Sequence, residues 1–158
     1  AARIPILQTT DINDPKAIGA LASLEPDLLV CVGFSKLFSQ ELLDIAAVGC
    51  INAHPSALPK WRGPAPIFWQ LKEGMEYLPV TLHWLDAKED HGPILSRGSA
   101  QVFPQMAGDD VYRAGGECAG RLLKPLLESM VFRVAPGEEQ VVFDPGCLVS
   151  TATAGHGD

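Results

Sequence analysis

A short run in the middle of the chain carries two side chains that suit carbonyl chemistry. Asn52 and His54 end an apolar segment that begins at Gly49, and they stand two residues apart. If residues 49–54 form a strand, both side chains point to the same face of the sheet. An imidazole exchanges a proton near neutral pH, and a carboxamide can donate to an oxyanion without changing its charge. The pair indicates chemistry at a carbonyl carbon, although an Asn and a His at a strand end also fit ordinary turn residues.

A second polar segment lies further along the chain. Residues 78–85 alternate like a strand and lead into an acidic loop that ends in Asp90-His91-Gly92-Pro93. Asp90 follows His54 by 36 residues. A carboxylate close to an imidazole favours the protonated ring, so Asp90 would suit His54 as a partner if the fold brought them together.

The order and spacing of these segments resemble the folate-dependent formyltransferase family. This group includes methionyl-tRNA formyltransferases, glycinamide ribonucleotide formyltransferases and sugar N-formyltransferases. The resemblance is greatest to the N-terminal catalytic domain of the methionyl-tRNA enzymes and covers about residues 1–135, with residues 136–158 left as a tail or the start of a following segment. The matching motifs are Asn52-x-His54-Pro55-Ser56, Leu58-Pro59, Trp61-Arg62-Gly63, Pro66-Ile67, Val80-Thr81-x-His83 and Asp90-x-Gly92-x-Ile94.

The resemblance implies transfer of a formyl group from 10-formyltetrahydrofolate to an amine, with no metal. It implies that Asn52 hydrogen-bonds the formyl oxygen and that protonated His54 stabilises the developing oxyanion. Asp90 would keep His54 charged and help to remove the proton of the amine. His83, on the same predicted strand face as Thr81, is expected to be a structural hydrogen-bonding residue.

The resemblance also implies two binding regions. The folate would lie between two loops, one with Lys36, Leu37 and Phe38, and the other with Leu85, Asp86, Ala87 and Asp90. The acceptor would lie beside the loop after His54, which contributes Ser56, Leu58, Pro59, Trp61, Arg62 and Gly63. A cis peptide bond is expected at Leu58-Pro59. Without the resemblance, these loop residues would be interpreted as ordinary packing.

Three functions remain open from the sequence. The first is transfer to an amine, and Trp61-Arg62-Gly63 with Pro66-Ile67 looks most like the branches that act on aminoacyl-tRNA or amino sugars. The second is hydrolysis of 10-formyltetrahydrofolate, in which water replaces the amine. The third is a catalytically silent folate-binding or scaffold module.

Composition sets the class of protein. The chain has 158 residues, of which 47% are apolar and 20% charged, as in a globular domain. A net charge of −7 argues against a general nucleic-acid surface, which needs clustered Lys and Arg. The four cysteines form no C-x-x-C pair, and no apolar run has the length of a membrane span. A cytoplasmic protein without a zinc or disulfide framework is expected.

The elements that must position these side chains alternate between strands and helices. Strands are predicted at residues 1–8, 27–33, 49–54, 78–85 and 94–103, and helices at 15–21, 40–46, 64–73 and 108–132. Asp14 and Ser39 are expected as N-caps, and the apolar residues 27–33 as a central strand. The pattern predicts an α/β fold with a doubly wound, mostly parallel sheet. By the resemblance, strands that would precede Ala1 are absent, so the chain alone is expected to aggregate or stay partly unfolded.

Overall fold

Helices and strands alternate along most of the part of the chain that the structure describes. The computed structural model describes residues 6–130. The elements in order are α1 (Pro15–Ala22), β1 (Leu28–Val32), α2 (Gln40–Leu43), β2 (Gly49–His54), α3 (Pro66–Lys72), β3 (Tyr77–Trp84), β4 (Ile94–Gln101) and α4 (Gly108–Ser129). The predicted α/β class is confirmed.

The four strands form one sheet in the order β1-β2-β3-β4. β1 and β2 are parallel, whereas the pairs β2/β3 and β3/β4 are antiparallel. Within residues 6–130 the sheet is thus mixed, with one parallel and two antiparallel pairs. β3 and β4 are joined by residues 85–93 alone, and this connection is too short for the crossover that a parallel pair requires.

The apolar sequence of β1 predicts a central strand. Within the described residues it pairs with β2 alone, and Val30 and Val32 are 41% and 57% exposed. An unbroken apolar run indicates a strand suited to burial on both faces, but the number of strands beside it depends on long-range pairing that periodicity does not encode.

Local capping was predicted well and element ends less well. The Asp14 side chain accepts from the amide of Lys16, and Ser39 Oγ accepts from the amide of Leu42, so both N-caps are confirmed. α2 ends at Leu43, three residues before its predicted end. Residues 6–8 form no strand, and residues 1–5 and the predicted tail lie outside the described residues.

The two faces of β3 have different roles. Val80, Leu82 and Trp84 are buried in one cluster with Cys118 and Ala119 of α4. On β2, Ile51 and Ala53 join that cluster. The alternate residues, which include Asn52, His54, Thr81 and His83, are also buried but lie outside the apolar cluster. Packing of α4 on one face thus leaves the other face of β2 and β3 for polar side chains.

We expect Gly92→Ala to destabilise the protein. A Cβ atom at this buried position would overlap the carbonyl oxygen of Trp84, which belongs to the backbone and cannot rotate away. Overpacking of this kind costs about 1–3 kcal/mol, measurable as a lower midpoint of urea unfolding.

The matched control is Gly116→Ala. Gly116 is exposed on α4, and no atom lies within 4 Å of the place that a Cβ would take there. Alanine there should stabilise the helix by about 0.5–1 kcal/mol. Equal effects of the two substitutions would contradict the predicted clash at Gly92.

Candidate active site

One carboxylate joins the polar residues of β2 and β3. Oδ2 of Asp90 lies 3.3 Å from His54 Nδ1, and its Oδ1 lies 3.4 Å from His83 Nε2. Asn52 Nδ2 donates to Oδ1 over 3.2 Å, and the amide of Gly63 donates to Oδ2 over 3.0 Å. The structure therefore brings together Asn52, His54 and Asp90, the three residues predicted to carry the chemistry.

Strand register explains why these groups meet. Asn52 is opposite His83, and His54 is opposite Thr81, in the antiparallel pair β2/β3. Side chains of directly opposed residues share a face of the sheet. Asp90 then returns over this face from the loop that follows β3, with a positive φ of 47°. Asp tolerates this left-handed conformation better than most residues, because its short polar side chain can hydrogen-bond locally.

Both ring nitrogens of His54 face acceptors. Nε2 lies 2.8 Å from the carbonyl oxygen of Trp61, and Nδ1 faces Asp90. A carbonyl oxygen can only accept, so Nε2 carries the proton in the neutral ring. Both nitrogens donate only when the ring is an imidazolium, and the site is built to accommodate that form.

The environment keeps Asp90 ionised. Burial by itself would raise the pKa of Asp90, but hydrogen bonds from His83 and Gly63 and the charges of His54 and His83 outweigh it. The pKa of this carboxyl consequently lies below its ordinary value. Asp90 is an acceptor at neutral pH, which suits a group that holds a protonated imidazole.

A cavity opens beside the cluster, and most of the predicted folate residues line it. Its wall includes Lys36, Leu37, Phe38, Leu85, Asp86 and Asp90, whereas Ala87 does not contribute. Phe34 and Glu89, which belong to the two loops expected beside the site, also line it. Sequence reasoning missed Cys31 and Tyr112, which line it as well. Cys31 could have been found from strand alternation, because it is opposite Asn52 in the β1/β2 register. Tyr112 comes from α4, and no local signal in the sequence points to it.

The predicted acceptor loop is only partly at the cavity. Of its six residues only Gly63 lines the wall. Ser56 and Leu58 are buried, so they shape the loop and do not reach the cavity. Ser56 Oγ donates to the carbonyl of Lys60, and Thr81 Oγ1 donates to the carbonyl of Ser56.

The rest of this loop is tied to the protein around it. The expected cis peptide bond at Leu58-Pro59 is present, and Arg97 donates to the Leu58 carbonyl. Pro59 is exposed. Arg62 Nε donates to the backbone carbonyl of Asp90 over 3.0 Å. The loop after His54 therefore binds back onto the carboxylate cluster.

His83 contacts the cluster more directly than its expected structural role implied. It is fully buried, and Nε2 lies within 3.4 Å of Asp90 and 3.2 Å of Asn52 Nδ2. The sequence placed it on the strand face of Thr81 as a hydrogen-bonding residue, and the structure adds its partners. All buried side-chain nitrogen and oxygen atoms in the described residues have a hydrogen-bond partner.

Within residues 6–130, His, Cys, Asp and Glu side chains form no group of three or more that could hold a metal ion. None of the helices in this range has the length and apolarity needed to cross a bilayer.

Comparison of sequences links the chain to known enzymes. A family model described as formyl transferase matches residues 4–125. The methionyl-tRNA formyltransferase of Acetivibrio thermocellus is 32% identical over 155 residues, which cover 92% of this chain and 50% of that protein. The chain spans about half the length of the curated relatives it matches.

Comparison of structures gives the same fold. A formyltetrahydrofolate deformylase from Pseudomonas syringae pv. tomato superposes with a TM-score of 0.61 at 22% identity, covering 73% of this chain and 40% of that one. A phosphoribosylglycinamide formyltransferase from Brucella melitensis gives a TM-score of 0.57 at 26% identity, with coverages of 73% and 62%. The family model covers most of the chain and includes every residue of the Asp90 cluster. The chain therefore belongs to the formyl transferase family.

Proposed function

We propose that this chain supplies the catalytic site for transfer of a formyl group from 10-formyltetrahydrofolate to an amine. The observation that carries the proposal is the Asp90 carboxylate, which lies at the cavity wall between His54 and the Asn52-His83 pair. Membership of the formyl transferase family supports the same reaction class. The relatives named methionyl-tRNA formyltransferase support an amine carried on a larger molecule.

The cavity suits a flat, partly aromatic donor. Phe34 and Phe38 contact each other edge to face with ring centroids 5.3 Å apart, and both line the wall with Leu37. Ligand sites of this kind combine apolar walls with a few polar groups that fix orientation. Asp86 and the backbone of the two loops supply polar groups here. These residues fit the folate that the family implies.

The chemistry divides among three side chains. The folate supplies a formyl group whose carbon is attacked by the nitrogen of the amine, and the bond from that carbon to the folate nitrogen then breaks. His54 and Asn52 would donate hydrogen bonds to the formyl oxygen as negative charge develops on it. Asp90 would hold His54 in its protonated form and accept the proton that the attacking amine loses, and this proton would pass to the folate nitrogen as its bond to the formyl carbon breaks.

The acceptor is proposed to be an aminoacyl-tRNA or an amino sugar. The 32% identity to a methionyl-tRNA formyltransferase supports the first, and the Trp61-Arg62-Gly63 motif resembles both branches. Exposed Lys60 and Arg62 lie on the loop beside the cavity and could bind one phosphate group of such an acceptor.

Incubation of the protein with 10-formyltetrahydrofolate should distinguish transfer from hydrolysis. We expect little formate release without an added amine, and formylated product with one of three acceptors: methionyl-tRNA, a nucleotide-linked amino sugar or glycinamide ribonucleotide. Formate and product are measured by mass spectrometry. Rapid formate release without any acceptor would instead identify a hydrolase, in which water takes the place of the amine. Folate binding with neither reaction would indicate a silent binding module.

Substitution of the cluster should remove turnover but leave folate binding. We expect His54→Ala and Asp90→Ala to lower kcat by at least about 100-fold, because positioned proton-transfer groups contribute about 10²–10⁴. Folate affinity, measured by fluorescence titration, should change little. His91→Ala is the matched control, since His91 is exposed and does not line the cavity. Retention of normal turnover in either cluster variant would refute the assignment.

The carboxylate should also make stability depend on pH. The pKa of Asp90 is lowered from 3.8 in the folded chain, so ionised Asp90 stabilises the folded state. This contribution is fully present well above pH 3.8 and is lost as the pH falls below it, through the folded-state pKa. The difference in unfolding free energy between wild type and Asp90→Asn should therefore shrink from about pH 7 to about pH 3. Glu89→Gln, at an exposed neighbour, is the control. A difference for Asp90→Asn that is constant over this range would contradict the expectation.

A further inference from the structure

The strand that carries His54 ends at that residue. His54, opposite Thr81, is the last residue of β2 in register with β3. Pro55 follows and has no backbone N–H, so it cannot donate to the ladder of hydrogen bonds with β3. The position of the chain directly after the imidazole therefore depends on partners outside the sheet.

Gln70 of α3 supplies one of these partners. Its Nε2 donates to the carbonyl of Pro55 over 2.8 Å and to the carbonyl of Pro66, the first residue of α3, over 3.0 Å. Gln70 is only 4% exposed, and an amide removed from water to this extent needs hydrogen-bond partners within the protein. The end of β2 and the start of α3 are thus joined through one buried amide.

Both ends of this link belong to the cavity wall. Pro55 and Pro66 line the cavity together with His54, whereas Gln70 does not. The residue before α3, Ala65, has a positive φ of 56° and makes no side-chain cap, so contacts with the rest of the protein set where this helix begins. Gln70 therefore lies behind the wall and fixes the separation between the end of β2 and the start of α3.

Other side chains attach the loop after β2 to the sheet. Thr81 of β3 donates to the Ser56 carbonyl over 2.6 Å, and Arg97 of β4 donates to the Leu58 carbonyl over 2.9 Å. The hydrogen bonds of Gln70 instead link this segment to α3. Loss of the Gln70 donor would leave the contacts with the sheet in place and allow the separation from α3 to change.

We propose that Gln70 is a positioning residue that aligns His54 with the carbonyl group of the bound formyl donor. The inference rests on the proposed formyl transfer, in which His54 donates to the formyl oxygen. A neutral amide exchanges no proton with a substrate near neutral pH, so Gln70 acts by geometry alone. It does not touch the donor but acts through His54, and misplacement of a reacting group by about 1 Å can cost about 100-fold in rate.

A double-mutant cycle tests the action through His54. Gln70→Met keeps a similar volume but removes the donor, and kcat should fall by about tenfold or more. Gln70→Leu, which also lacks the donor, should have the same effect. The KM for 10-formyltetrahydrofolate should change by less than about twofold, because the lost hydrogen bonds do not involve the two loops expected to bind it. In a His54→Ala background Gln70→Met should change kcat by less than about threefold, because the group it positions is gone. An equal fold loss in both backgrounds would overturn the proposal.

Two control substitutions separate positioning from a loss of stability. Gln101→Met makes the same exchange at an exposed position and should leave kcat unchanged. Leu122→Ala removes part of a side chain that packs on the apolar cluster at the other face of the sheet. It should lower the midpoint of urea unfolding without lowering kcat. A fall in kcat for Leu122→Ala as large as that for Gln70→Met would show that Gln70 acts on stability alone and would overturn the proposal.

Crystal structures of the wild type and of Gln70→Met test the geometry without any substrate. The separation of Pro55 from Pro66 should increase, and the His54 ring should move relative to Asp90 by about 0.5 Å or more, the tolerance within which functional groups must be held. A His54 ring that keeps its place in the variant would overturn the inference. Because no folate is used, displacement of His54 in a protein that fails to transfer formyl groups would count against the proposed function alone.

Discussion

A largely buried carboxylate that needs several donors is the constraint on which the site depends. Removing an ionised Asp from water is costly unless hydrogen bonds and opposite charges replace the lost hydration. Asp90 meets that requirement with contributions from β2, β3 and the loop after His54, through Asn52, His83 and Gly63, with His54 as a further partner. The contacts that stabilise the charge of Asp90 also fix the relative positions of the His54 ring, the His83 ring and the Asn52 amide.

The sheet makes this clustering possible because its two faces are used differently. α4 packs against β3 and β4 on one face of the sheet, and the apolar residues of β2 and β3 on that face alternate with the polar ones. A shift of register by one residue would exchange the two sets, moving His83 into the core and Leu82 into the site. Hydrophobic packing on the opposite face of the same strands thus fixes the positions of the polar residues. Asp90 joins them from the short connection between β3 and β4.

Sequence reasoning succeeded where the information is local or repeats with strand periodicity. The same-face placement of Asn52 and His54 follows from alternation, and the caps Asp14 and Ser39 follow from side-chain chemistry. It failed where partners are distant in sequence. The antiparallel pairing of β3, the contact of His83 with Asp90 and the contribution of Tyr112 to the cavity all depend on how separate elements dock. The resemblance to the formyltransferases located the loop after His54, but only the folded arrangement shows that Ser56 and Leu58 are buried and that Gly63 lines the cavity.

The loop after His54 is hydrogen-bonded to the residues around Asp90. Three consecutive residues bind the cluster: the Trp61 carbonyl accepts from His54, Arg62 donates to the Asp90 carbonyl, and the Gly63 amide donates to the Asp90 carboxylate. In the proposed reaction, a substrate oxygen that accepts a hydrogen bond from His54 Nε2 would have to replace the Trp61 carbonyl. Trp61 and Gly63 both have positive φ, of 60° and 86°, and for Trp61 this backbone conformation is sparsely populated. Hydrogen bonds to Asp90 and His54 offset that strain in the present arrangement. In the proposed reaction, a substrate that took over the bond to His54 would remove part of that compensation, so binding at the site would be coupled to the conformation of this loop.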